Sequence, residues 1–197
     1  DVDGYLELAR QRKPELADTE LLYVSTPDYV GAFEDGYKHA VTAMVKAFAN
    51  PAAPKVPDRV NLLPGSHLTP ADIDELRETV QAFGLEALVL PDVSGSLDGH
   101  IAPDWRGTTL GGTTLDEIRA AGASAFTLGV GEQTREAAEA LKAIADTPFE
   151  VFERLTGLEV NDRLLHRLSQ IAGRAVPAKY RRQRSQLLDA MLDGHFY

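Results

Sequence analysis

Residues 60–95, VNLLPGSHLTPADIDELRETVQAFGLEALVLPDVSG, leave few folds open, because they read as a strand, a helix and a second strand with every boundary marked. Val60, Leu62 and Leu63 form a short apolar run that Pro64 and Gly65 break. Thr69 stands where an N-cap hydroxyl accepts a bond from a free backbone N–H, and Pro70 suits the first helical position. Ile73, Leu76, Val80 and Phe83 recur on one helical stripe, and Gly84 stands where a left-handed residue ends a helix. A second apolar run, Ala87 to Leu90, follows at once. Two nearly continuous apolar strands joined by a crossover helix imply parallel pairing, with both sheet faces covered. The expected class is α/β: a Rossmann-like three-layer domain around a central parallel sheet of about four strands, plus the end of a preceding similar domain.

The rest of the chain is arranged around that unit. Residues 2–12 predict a short helix, and Leu21 to Val24 a buried strand. Asp28 to Gly31 then form a loop at that strand's carboxyl end, where open α/β sheets place ligands. Phe33, Tyr37, Val41, Met44 and Phe48 mark a long helix from Phe33 to Phe48. Asn50 to Asp58, rich in proline and alanine, reads as a linker. Ser94 to Gly112 is a long glycine-containing connection, and loops of that length in compact domains are usually functional or disordered. Thr114 with Glu117 makes a capping box. Ala125 to Val130 and Glu150 to Glu153 predict two more strands, separated by a helix from Glu132 to Ala145. Two helices close the chain: about Val160 to Ala172, ended by Gly173, and Pro177 to Leu192. The expected division is residues 1–58 as the end of a first α/β domain with its linker, 59–176 as a complete middle domain, and 177–197 as a helix leading onward.

Composition narrows the chemistry. The chain has no cysteine, which excludes disulfides, thiolate catalysis and thiolate-held iron–sulfur clusters within these residues. Twenty basic against thirty acidic residues give a net charge of −10, which disfavours nucleic acid and anionic membrane as main partners. No apolar run approaches the roughly 20 residues that span a bilayer, and no signal peptide opens the chain, so a cytoplasmic location is expected. The chain begins at Asp1 directly on a helical pattern, as a piece of something longer would.

Candidate sites compete with plain structural roles. Gly129 and Gly131 after the third strand resemble part of a dinucleotide fingerprint, but Thr134 replaces the third glycine and Glu132 occupies the charge a pyrophosphate would take. Asp35 with His39, and Asp162 with His166, lie four apart on helices, yet neither pair has an evident third metal ligand. His100, between Asp98 and Asp104 in the glycine loop, is the more interesting candidate because loops carry function. The carboxylates of 72–78 and 132–139 read as solvated helix faces. The basic cluster Lys179, Arg181, Arg182 and Arg184 reads either as a polar face or as a contact with another domain or subunit.

Five runs in collinear order, YVSTPDYVGAFEDGYKHAV, VNLLPGSHLTPADIDEL, LPDVSGSLDGH, TTLGGTTLDEI and KYRRQRSQLLDAMLDGHFY, resemble the nitrogenase component 1 superfamily. Within it they look most like the β-like subunit of the scaffold on which the iron–molybdenum cofactor is assembled for nitrogen fixation. The resemblance implies chains of several Rossmann-like domains, with clusters held between domains and subunits. It implies an α2β2 heterotetramer with a NifE-like α subunit, an iron–sulfur cluster and an iron–molybdenum cofactor precursor in the intact complex, and exchange with the nitrogenase iron protein. The family's cluster cysteine lies upstream of residues like these, so the resemblance implies no cofactor, metal ligand or catalytic activity in this stretch itself. It also marks Asp28: the catalytic β subunit has a serine near its cluster after a similar Thr-Pro pair, which makes Asp28 a near-cluster candidate. Two other readings stand beside this one, a β-subunit piece of a nitrogenase-like reductase and a stand-alone small-ligand-binding α/β module.

Overall fold

The computed structural model describes residues 1–197 except 1, 17, 28, 52, 53, 100, 102, 106, 108 and 197, and the side chains of 3 and 196. Among the described residues the order is α1 (Val2–Arg12), α2 (Phe33–Phe48), β1 (Val56–Pro64), α3 (Pro70–Ala82), β2 (Glu86–Val89), α4 (Leu115–Ala120), β3 (Ser124–Val130), α5 (Arg135–Ala145), β4 (Phe149–Phe152), α6 (Leu158–Ala172) and α7 (Ala178–Phe196), with three short 3-10 turns between. All strand pairs are parallel, in the order β2-β1-β3-β4. The sheet is the expected four-stranded one.

The strands are buried on both faces, as parallel strands must be when helices cover each side. Val60, Leu62, Val89, Leu128, Val130 and Phe152 face α3, α6 and the start of α7, packing with Ile73, Phe83, Leu168 and Tyr180. Leu63 and Leu88 face the other way, against Val41 and Val45 of α2, Ile118 of α4 and Leu141 of α5. Fully burying one such side chain contributes roughly 1.5–3 kcal/mol. Asn61, wholly buried, is tolerated because its amide donates to Ala121 O (2.9 Å) and Thr127 Oγ1 (3.1 Å) and accepts from Ser124 Oγ (2.7 Å).

Local signals explain the boundaries. Thr69 Oγ1 accepts from Asp72 N–H (3.3 Å) while Asp72 accepts from Thr69 N–H (2.8 Å), which starts α3 at Pro70. Gly84 and Gly173 are both left-handed, at φ 75° and 62°, where α3 and α6 end. Tyr180 anchors α7 by stacking on Phe83 (6.4 Å between centroids) and donating to Thr79 Oγ1 (3.2 Å).

Two expectations change. Leu21 to Val24 is not a strand and pairs with none of the described strands; Leu22 and Tyr23 are exposed. The expected linker also contains structure. β1 begins at Val56, with a register shift between Val56 and Val60 that accommodates Pro57. Lys55 Nζ, just before it, donates to Gly122 O (2.9 Å), Ser124 O (3.3 Å) and Thr147 Oγ1 (2.6 Å).

Candidate functional site

Strand order places the topological switch between β1 and β3, because β2 follows β1 on one side and β4 follows β3 on the other. Open α/β sheets bind ligands beyond the carboxyl ends at such a point. Here Pro64, Gly65, Ser66 and His67 leave β1, and Gly131, Glu132, Gln133 and Thr134 leave β3. Gln133 Nε2 lies 3.2 Å from His67 Nδ1 and 3.4 Å from Ser66 Oγ, bridging the two turns.

The glycines make room for that bridge. A Cβ on Gly65 would overlap the Val130 carbonyl oxygen and stand 2.7 Å from Gln133 Nε2, and one on Gly131 would stand 2.6 Å from Gln133 Oε1. A Cβ on Gly129 would overlap Thr134 Oγ1, which donates to Gly131 O (2.8 Å). Glu132 is held by Arg135, whose guanidinium keeps its carboxyl below the ordinary range. The partial dinucleotide fingerprint is therefore a turn packed with side chains, without a cradle for a pyrophosphate. From α2, Tyr37 donates its hydroxyl to Pro64 O (2.6 Å), and burial pushes the phenol pKa up.

The second feature is the connection after β2. Thr113 donates to Val89 O (2.7 Å) and accepts from Asp92 N–H (2.8 Å). Asp92 accepts from Ser94 Oγ (2.7 Å) and from Arg77 of α3, which also reaches Ser94 Oγ (3.3 Å). A Cβ on Gly111 would stand 3.3 Å from Gly95 Cα, so the two feet of the loop touch. The loop's Leu97, Ile101 and Trp105 are exposed, Trp105 at 92%. His100 lies outside the described residues.

Asp28 does too. Its described neighbours Thr26, Pro27, Tyr29 and Gly31, with Asp35 and His39, line an open hollow of about 560 Å3. The helical Asp–His pairs are engaged elsewhere. Asp35 accepts from Ala32 N–H (2.8 Å) and pairs with Lys38 (3.4 Å), and the Ala32 bond lowers its pKa. Asp162 is held bidentately by Arg184 (2.7 and 2.8 Å), which lowers its carboxyl pKa, while His166 meets Gln170 at 2.9 Å. Part of the late basic cluster therefore pins α7 to α6. Among the described residues no group of three or more His, Asp or Glu side chains could hold a metal ion. With no cysteine in the sequence, this donor set does not fit an iron–sulfur cluster.

Sequence reasoning missed the Arg77–Asp92–Thr113 brace and the Gln133–His67 bridge. Both join residues far apart in the chain, and the only local signals were an Asp after a strand and a Gln after a glycine turn.

Strand order, parallel register and two helical layers define a Rossmann-like α/β unit with its switch at β1/β3. The family model described as nitrogenase component 1 type oxidoreductase matches residues 1–197, and the chain belongs to that family. It is similar to the nitrogenase iron-molybdenum cofactor biosynthesis protein NifN of Bradyrhizobium diazoefficiens, 50% identical over 200 residues, covering 100% of this chain and 43% of that protein. The NifN of Rhizobium meliloti is 46% identical over 95% of this chain and 43% of its own length, and that of Nostoc sp. 41% identical over 100% and 44%. A solved structure titled "Nitrogenase Cp1 at pH 6.5" superposes with a TM-score of 0.86 at 27% identity, covering 98% of this chain and 42% of that one. The chain thus spans under half the length of the relatives it matches. No helix among the described residues is long and apolar enough to cross a membrane.

Proposed function

We propose that these residues form a supporting α/β domain of a cytoplasmic scaffold on which the iron–molybdenum cofactor is assembled. The observation that carries this reading is the end-to-end similarity to NifN proteins, at 50% identity to one of them. In this reading the whole protein pairs with a NifE-like α subunit as an α2β2 heterotetramer and exchanges with the nitrogenase iron protein. The complex holds its iron–sulfur cluster and cofactor precursor through groups supplied from outside residues 1–197, and the segment itself does no catalysis. Residues before β1 close a preceding domain, with α2 reaching across to cover this sheet; the middle domain runs from β1, which starts at Val56 rather than at 59, to 176; α7 leads to the next. Asp28 and His100 are the cofactor-binding candidates, Asp28 near the cluster of the intact complex and His100 in the loop after β2.

The test is reconstitution of the full-length protein with its α-like partner. The expected result is an α2β2 mass by native mass spectrometry and precursor loading that disappears when this protein is omitted. Loading by the partner alone, or a complex turning over substrate as a reductase, overturns the proposal. For Asp28, an Asp28→Ala complex whose cluster spectrum and potential match the parent removes the near-cluster role.

A further inference from the structure

We propose that the buried pair Asn61 on β1 and Thr127 on β3 is a register key, which sets where the carboxyl ends of those strands meet and hence the shape of the crevice between them. Apolar pattern alone does not set it. From Val60 to Pro64 every residue of β1 is buried, and Leu62 and Leu63 face opposite layers, so a slip of one residue exchanges one buried leucine for another. Asn61 is the one polar side chain in that run, and Thr127 the one between Ala125 and Val130 on β3. They stand opposite each other in the observed register.

Both side chains are wholly buried. Asn61 Nδ2 donates to Thr127 Oγ1 (3.1 Å) and Ala121 O (2.9 Å), and Ser124 Oγ donates to Asn61 Oδ1 (2.7 Å). Moving β1 by one residue would set Asn61 opposite Phe126 or Leu128 and strand a buried amide without its partners. A lone polar group in an apolar seam selects one alignment by penalising the others. The pairing needs such a selector because it is not uniform. Between Val56 and Val60 β1 advances four residues while β3 advances two, from Ser124 to Phe126. Polar contacts bracket that offset: Lys55 Nζ reaches Ser124 O (3.3 Å) on one side, and Asn61 takes Ser124 Oγ and Thr127 Oγ1 on the other. Past the key the strands run in step to Pro64 beside Val130, where Gly65 meets the Val130 carbonyl and Gln133.

Hydrogen exchange of the full-length protein, read by mass spectrometry, tests the key with two variants. Asn61→Leu with Ser124→Ala and Thr127→Val replaces the network by apolar groups, and Ala121 O keeps its bond from Ser124 N–H. Amides of 60–63 and 131–134 should then exchange about tenfold faster than in the parent, while those of α3 keep the parent's protection. Thr127→Ser, which retains the hydroxyl, should exchange as the parent does. Unaltered protection of 60–63 and 131–134 in the triple variant would assign the register to apolar packing, and loss extending through α3 would make the network a condition of folding rather than of alignment. Either result overturns the key, as does the same loosening in Thr127→Ser.

Discussion

The crevice between β1 and β3 and the loop after β2 stand at the same edge of one sheet, and each is built on glycines. In the crevice, Gly65, Gly129 and Gly131 make room for Gln133 and Thr134, which fill the place a ligand would take. In the loop, Gly95 and Gly111 bring two backbone segments into contact and leave the side chains beyond them bare. The same residue type closes one region and projects the other. Glycine spacing alone therefore does not locate a site; what matters is which atoms move into the space it leaves.

The largest effect should come from breaking the filled crevice. Gly65→Ala puts a methyl group into the Val130 carbonyl and Gln133, and should cost about 2–3 kcal/mol in denaturant unfolding. Unchanged stability would mean that the crevice can open, and would reinstate it as a ligand site. Next, Asp92→Ala removes the acceptor shared by Arg77 and Ser94 and should cost about 1–2 kcal/mol. Hydrogen exchange around 94–112 should rise with it; an unaltered exchange pattern there would show that the brace does not order the loop.

Acid should act on the α6–α7 contact more gently. Arg184 holds the folded-state pKa of Asp162 below its ordinary 3.8. The stability this pair contributes is present above the unfolded-state value and is lost as pH falls from about 4 through the lowered folded-state value. Both side chains are substantially solvent-exposed, so Asp162→Asn should remove less than about 1 kcal/mol, from the neutral side only, and flatten the acid limb of a stability-against-pH curve. An unaltered acid limb would assign that pH dependence to other carboxylates. Trp105→Ala, at the bare end of the comparison, should change stability by less than about 0.5 kcal/mol. A larger loss would mean that Trp105 packs on its own chain.

The parts legible in the sequence were those whose causes are local. Thr69 with Asp72, Thr114 with Glu117, and the left-handed Gly84 and Gly173 signal their helix ends within a few residues. The alternating burial of Leu62 and Leu63 follows from strands covered on both sides. The failures were non-local. Leu21 to Val24 has the composition of a strand, but a strand exists only beside a partner. Lys55 belongs to the sheet through bonds to residues 122, 124 and 147, which no pattern in a proline-rich run announces. In the candidate site, the glycine turn after β3 was legible as a turn. Its occupancy by Gln133 from one side and His67 from the other was not, because that contact spans 66 positions. Asp28 and His100 rest on resemblance and loop position, and the described residues neither join them nor set them apart.

In the proposed scaffold this domain supports a cluster without supplying its ligands. Anaerobic reconstitution of the 197-residue chain with iron and sulfide, followed by desalting and iron analysis, tests it most directly. No stoichiometric iron and no cluster absorption should be found, with the fold intact by circular dichroism. Stoichiometric iron bound to the folded chain would contradict it.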